Sequence, residues 1–268
     1  MTRLFAALSL LFAACAAPAA ADPAETEAAM RELGDRFARG FFRRDAGQVL
    51  STVHPALSKL GVNPNYRGSG RASLEHLPPG HLEILGDVYN ADGRLHPTDS
   101  PVEIEMLDAE DGVGLMRLAA GREWYDYFLG VRVDGEWTLL NCAYGPYTVF
   151  DNPEEAADRA AIAETVERYA GGLDGAGFAA LRSAVHTDVT RRTLSEAGDE
   201  VALQSLEGMR ARAEARGGQA REAEITVFTP TRLTGAARID AGDRTEWVLL
   251  QRLNGEWLVV NAFWTPTA

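Results

Sequence analysis

Met30, Leu33, Phe37 and Phe41 stand at i, i+3, i+7 and i+11, with mostly polar residues between them. That spacing lays one apolar stripe along a helix. Ile162, Val166, Tyr169 and Leu173 make a second stripe of the same kind. A short second helix is expected after each, over about 46–54 and about 176–186, with Asp45 and Asp174 as caps at or just before their starts. A third helix, from about Glu200 to Arg216, is legible only in the second half. The corresponding stretch of the first half carries Pro55, Pro64, Pro78, Pro79, Pro97 and Pro101 and reads as loop. Strands close the first half at Val102–Leu107, Val113–Ala119, Trp124–Val133 and Glu136–Ala143, all rich in branched and aromatic residues. Asp134-Gly135 between the last two is a two-residue hairpin signal, and Asn254-Gly255 repeats it. Helices followed by an antiparallel meander predict an α+β fold with helices on one face of a curved sheet.

The two halves match residue by residue. Leu129, Arg132, Gly135, Glu136, Trp137, Asn141 and Pro146 recur 120 positions later as Leu249, Arg252, Gly255, Glu256, Trp257, Asn261 and Pro266. At the same offset Asp126 faces Glu246 and Tyr144 faces Trp264. Near the start of each half the offset is 132, pairing Phe37 with Tyr169, Val53 with Val185 and His54 with His186. An insertion between two matching ends is the pattern of a duplicated domain. The expected division is 22–150 and 151–268, split near Asp151-Asn152-Pro153. Such copies are expected to pair within the chain as a pseudo-dimer.

Residues 1–21 stand apart. Arg3 is their only charge, Leu4–Ala17 is apolar, and small residues end the run at Ala21. This predicts a secretory signal cleaved after Ala21, and hence a secreted or periplasmic protein. A lipoprotein attached through Cys15 is the less favoured alternative, and the run is too short and too Pro-interrupted for a membrane span. Cleavage leaves 25 basic against 39 acidic residues, a charge of −14, and Cys142 as the only cysteine. An intramolecular disulfide is thereby excluded, and a chain this acidic is unsuited to nucleic acid.

The order of helices, sheet and final Asp-Gly-x-Trp hairpin resembles the nuclear transport factor 2-like (NTF2-like), or SnoaL-like, superfamily. The first half resembles its lumazine-binding branch through His54, Pro55, Leu57 and Lys59, then Asp126-Tyr127, then Val133, Asp134, Gly135, Trp137 and Asn141. The second half keeps His186, Gly255, Trp257 and Asn261. It has Thr187 for the Pro, Glu246-Trp247 for Asp-Tyr, and no Lys five residues after the His. The resemblance implies two tandem cones, each with a pocket between sheet and helices. The superfamily holds isomerases, dehydratases and hydrolases beside many non-enzymes, so the resemblance implies a fold and not a reaction.

Candidate chemistry centres on Asp126. On a strand it alternates with Tyr127 and shares a face with Trp124, Phe128 and Arg132. It is either a pocket carboxylate able to act as a general base or a partner of Arg132. His54, Lys59, Tyr127, Asn141 and Tyr144 complete a candidate ligand site, with His186, Glu246, Trp247, Asn261 and Trp264 as equivalents. His54 and His186 are expected at helix ends, where a structural role is the plainer reading. His76, His81 and His96 lack metal-ligand spacing, so no metal or other cofactor is expected. Arg210, Arg212, Arg216 and Arg221 form a basic run that reads as a solvated helix face. No Gly-x-Ser-x-Gly elbow, phosphate loop, dinucleotide fingerprint or His-Glu-x-x-His helix is present. The favoured reading is an exported, non-catalytic module binding an apolar or aromatic small molecule or a protein. The alternative is an isomerase, dehydratase or hydrolase with Asp126 as base.

Overall fold

In the computed structural model, which describes residues 22–65, 68–92, 97–110, 112–215 and 222–267, the first apolar stripe forms α1 (Pro23–Arg43). Asp22 caps it, accepting from the Ala24 amide at 3.0 Å, and Pro23 occupies the first turn, where its missing N–H has no partner to lose. The expected signal segment, with Ala21 and Cys15, lies outside the described residues, as do His96, Arg216 and Arg221.

Asp45 caps α2 (Ala46–Leu50) by accepting from the Gln48 amide at 2.8 Å. This helix ends four residues earlier than expected. Pro55 disfavours helical backbone at His54, and Val53 is β-branched, so the chain turns into β1 (Val53–Asn63). The Pro-rich stretch is also more ordered than expected. It holds β2 (Ser73–His76) and α3 (Pro79–Val88), with Pro79 in the tolerated first helical turn. Then come β3 (Val102–Glu110), β4 (Val113–Ala120), β5 (Trp124–Val133) and β6 (Glu136–Pro146).

The second half repeats this order: α4 (Glu155–Gly171), α5 (Phe178–Ala184), β7 (Val185–Leu194), β8 (Val201–Gln204), α6 (Leu206–Ala215), β9 (Glu224–Val227), β10 (Thr234–Asp240), β11 (Arg244–Leu253) and β12 (Glu256–Pro266). The third helix is shorter than the predicted 200–216, because Val201–Gln204 pairs with β7 as a strand.

Each half is an α+β cone on a six-stranded sheet, ordered β2-β1-β6-β5-β4-β3 and β8-β7-β12-β11-β10-β9. Neither sheet is purely antiparallel. β1 runs parallel to β6, with Lys59 opposite Cys142, and β7 runs parallel to β12, with Arg191 opposite Ala262. Both hairpins are where the sequence placed them. Asp134 and Gly135 have φ of 50° and 80°, and Asn254 and Gly255 have φ of 52° and 92°, the left-handed pair that such a turn requires.

One face of each sheet packs on its helices. Met30, Phe37 and Phe41 meet Phe128, Leu139 and Cys142 in the first half, and Ile162, Val166 and Tyr169 meet Val248, Leu250 and Val259 in the second. The opposite faces meet each other. Leu60, Tyr125, Tyr127 and Leu129 interleave with Trp247, Leu249, Val260 and Phe263 in one buried cluster. A bulge in β6 at Leu140 and its counterpart in β12 at Val260 turn consecutive residues toward this seam. There Asn141 donates to Ala262 O and Asn261 donates to Cys142 O, both at 3.3 Å, a reciprocal pair across a local two-fold relation. Among the described residues no helix is long and apolar enough to cross a membrane.

Candidate functional site

The two carboxylates singled out by the sequence both point into the cones. Asp126 on β5 is fully buried. Lys59, centrally placed on β1, reaches it from the strand beyond β6, and Lys59 Nζ donates to Asp126 Oδ1. Trp124 Nε1 donates to the other carboxylate oxygen at 2.9 Å, and Cys142 Sγ donates to Oδ1 at 3.2 Å. Both oxygens of Asp126 are therefore held by donors. Burial alone would lower the Lys59 pKa, but the Asp126 carboxylate and the Cys142 sulfur beside it outweigh that and raise it. Burial, with Asp126 adding to it, pushes the Cys142 thiol well up, so it stays protonated. Arg132, the alternative partner for Asp126, instead donates to Gly135 O at 3.0 Å.

Above this pair lies a cavity of about 130 Å³. Phe37 and Phe41 from α1, Leu82 and Leu85 from α3, Tyr89 and Trp124 form its walls, and Lys59 and Tyr144 close its floor. Lys59 Nζ sits 4.6 Å from the Tyr144 ring centroid and 5.1 Å from that of Phe128. Asp126 itself is not on the lining. Burial, with Glu123 and Asp126 adding to it, raises the Tyr89 phenol to about 12, and burial likewise raises Tyr144, so both rings stay neutral donors. Gly61 makes the floor possible. A Cβ there would lie 2.3 Å from Tyr144 Cζ, so only glycine lets the ring lie flat over β1.

In the second cone the positions of Phe37, Lys59 and Trp124 carry a charged network, and the cavity of about 190 Å³ beside it is bordered by Arg191, Gln204, Arg212 and Trp264 rather than by an aromatic cage. Arg191 occupies the place of Lys59, and its Nε and Nη2 clasp Glu246 at 2.7 and 3.0 Å. Arg244, in the place of Trp124, donates to Glu246 at 3.0 Å and to Asp174 at 3.1 and 2.8 Å. Tyr169, in the place of Phe37, donates to Glu246 at 2.6 Å. Burial would raise the Glu246 pKa, but Arg191, then Arg244 and Tyr169, hold it at about 2. Asp174, expected as a helix cap, thus belongs to this network. The missing Lys of the second half is matched by an arginine at the same distance from the histidine, a substitution that a search for Lys alone passes over.

The other candidates lie elsewhere. Tyr127 faces the seam between the sheets and donates to Thr229 O at 2.6 Å. Trp247 also faces the seam, donating to Asp108 Oδ2 at 2.6 Å. Asn141 and Asn261 pair across it as described. None of these four lines the first cone's cavity. Trp264 covers the Arg191 guanidinium at 4.7 Å. His54 and His186 begin strands rather than ending helices. Each accepts the amide two residues on, at 3.0 and 3.1 Å, which suits the neutral ring that burial favours. His76 ends β2 and His81 lies in α3, and among the described residues no cluster of three or more metal-ligating groups occurs. Arg210 is exposed and pairs with Glu207 and Glu214 on its own helix. The cavity walls from α3 were not foreseen, because the prolines around them suggested loop.

No protein-family model and no curated protein matches the chain. Among solved structures, it is similar to an NTF2-like protein of unknown function from Shewanella baltica OS155. The two are 19% identical over 44% of this chain and 99% of the other, with a TM-score of 0.39. It is also similar to an NTF2-like protein of unknown function from Methylobacillus flagellatus KT, with 20% identity over 45% and 98% and a TM-score of 0.38. A ketosteroid isomerase-like protein from Erwinia carotovora atroseptica SCRI1043 matches at 14% identity over 44% and 99%, with a TM-score of 0.32. Each match spans less than half of this chain.

Proposed function

We propose that this is an exported, non-catalytic binding protein whose first cone receives a small, flat, apolar or aromatic molecule. The observation that carries the reading is the aromatic cavity whose floor is a buried, positively charged Lys59. Phe37, Phe41, Tyr89 and Trp124 offer ring faces and edges, and Lys59 offers a donor to a ligand oxygen at the closed end. A fused heterocycle of the lumazine kind, with carbonyl acceptors on its rim, suits that chemistry. The second cone serves as a partner that covers the sheet of the first, since its own interior carries the charged network of Arg191, Arg244 and Glu246 in place of an aromatic cage.

The state of Asp126 speaks for binding over catalysis. A general base must reach a substrate proton with a free lone pair. This carboxylate takes donors from Lys59, Trp124 and Cys142 and lies behind the cavity wall.

Fluorescence titration with lumazine tests the pocket. Saturable binding is expected for the cleaved protein and should vanish in Leu85→Trp, which fills the cavity from a half-buried wall position. Equal binding by that variant, or none by the parent to lumazine or to any co-purifying molecule seen in native mass spectrometry, overturns the proposal. Export is part of the reading. N-terminal sequencing of the secreted or periplasmic protein should begin at Asp22, and an uncleaved cytosolic chain would refute it.

A further inference from the structure

Arg191 and Arg192 are neighbours on β7, and the alternation of a strand sends them to opposite faces. Arg191 enters the second cone and finds Glu246. Arg192 points into the seam between the sheets, at the position that Leu60 holds in the first half, and it is 6% exposed. Its protein partners are all neutral. Nη1 donates to Asn141 Oδ1 at 2.8 Å, to Asn261 Oδ1 at 3.4 Å and to Thr190 Oγ1. Among the described residues no carboxylate forms an ion pair with it, and Nε and Nη2 have no protein acceptor. Burial without a counter-charge pulls its pKa down to about 10. A buried charge left in this state is costly unless something outside the chain compensates it.

The guanidinium borders a cavity of about 170 Å³ between the two halves. Ser58, His76 and Asp188 give its polar side, and Leu57, Leu60 and Leu74 give an apolar wall. Asp188 does not neutralise Arg192. Its side chain is 75% exposed and lies 3.7 Å from His186 Nδ1. His54 and His76 are rings that are neutral or cationic and so supply no anion, and their pKa values are lowered first by burial and then by the Arg192 charge.

We propose that this seam cavity is a second ligand site, which binds a small organic carboxylate with its anionic end on Arg192 and its hydrocarbon against Leu57, Leu60 and Leu74. A planar guanidinium matches a carboxylate through two parallel N–H donors, and Nε with Nη2 is such an edge. The apolar wall distinguishes this ligand from a bare oxyanion, which would leave three leucines facing no partner. The site is separate from the first cone, so it does not depend on the lumazine-type pocket.

The test uses the cleaved full chain, titrated with benzoate and separately with inorganic phosphate at constant ionic strength. The readouts are the His54 and His76 ring signals in NMR and the melting temperature. Benzoate should shift both rings saturably and raise the melting temperature. Arg192→Leu should weaken that binding by about 30-fold or more, the loss expected for a buried charge-assisted pair. The variant should still fold without ligand, because it installs the residue found at position 60 and removes an unpaired charge, which offsets the donor that the buried Asn141 Oδ1 loses. Leu85→Trp, which fills the first cone, should leave benzoate binding unchanged. The proposal falls if benzoate gives no saturable shift, if Arg192→Leu binds it as tightly as the parent, or if phosphate binds and benzoate does not. Should Arg192→Leu fail to fold, Arg192→Gln decides the same question, since it keeps a donor for Asn141 and loses the charged fork.

Discussion

Replacing Lys59 with Met isolates the charge at the floor of the first cone. Methionine keeps the length and apolar contacts of the stem, so the loss is the ammonium. Two effects compete for the predicted magnitude. The ring faces of Phe37, Phe128 and Tyr144 lie 4.6 to 5.5 Å from Nζ, and such contacts contribute about 0.5–2 kcal/mol. The ion pair is larger. Both side chains are at least 95% buried, and stranding one member of such a pair costs about 3–5 kcal/mol. Trp124 and Cys142 still donate to the stranded carboxylate, which places Lys59→Met near the lower end of that range. Asp126→Leu should cost a similar amount by leaving the ammonium alone. The double variant, Lys59→Met with Asp126→Leu, should come within about 1–2 kcal/mol of the parent, because no charge remains to desolvate and only the Trp124 Nε1 and weak Cys142 Sγ donors lose the Asp126 carboxylate. Urea unfolding of all four proteins at pH 7, followed by far-UV dichroism and tryptophan emission, gives the coupling energy. Costs that simply add in the double variant, or a Lys59→Met loss below about 1 kcal/mol, would show that this pair does not hold the cone floor.

Acid should strike the second cone through Glu246. Its folded pKa of about 2 lies below the ordinary 4.5, so its contribution is complete above about pH 5 and drains away as pH falls toward 2, a loss on the order of 3 kcal/mol. Stability measured from pH 6 to 2 should fall less steeply in Glu246→Gln, and parallel curves would refute the assignment. Gly61→Ala should push the Tyr144 ring off β1, cost about 1–3 kcal/mol and weaken lumazine binding together, since the new methyl would sit 2.3 Å from the ring. An unchanged melting temperature with unchanged binding would mean that Tyr144 is not held by that contact.

Several of these features are legible in the amino-acid sequence. Period found α1 and α4, and Asp45 marked the start of α2, while α5 begins at Phe178 behind Gly177 with no side-chain cap and Asp174 serves elsewhere. The expected α2 runs four residues too far, because Pro55 and the parallel neighbour β6 impose strand from Val53 onward. β1 gives no clean alternation, because its Ser58 and Lys59 are buried along with Leu57 and Leu60. α3 was hidden by Pro78-Pro79, a pair that reads as a breaker in a window but starts a helix in place. Asp126 was legible as the leading carboxylate. Its role was not, because Lys59 and Cys142 are 67 and 16 residues away in sequence and meet it only through strand register.

Local pattern by itself determined the leading helices, the closing strands of the meander, the hairpin turns, the repeat and the list of polar residues worth watching. These rest on backbone preference and on periodicity, which a few neighbouring residues express. Which face each strand turns inward, and hence which candidates share a site, was decided by tertiary structure. Tyr127, Asn141, Trp247 and Asn261 went to the seam because the outer face of each sheet is apolar enough to bury against the other. The first cone kept an aromatic cavity while the second gained a charged network, because Phe37 and Trp124 in one became Tyr169 and Arg244 in the other. Arg192 shows the same division. The sequence places two arginines side by side, and only the packing of two sheets leaves one of them paired and the other facing a cavity.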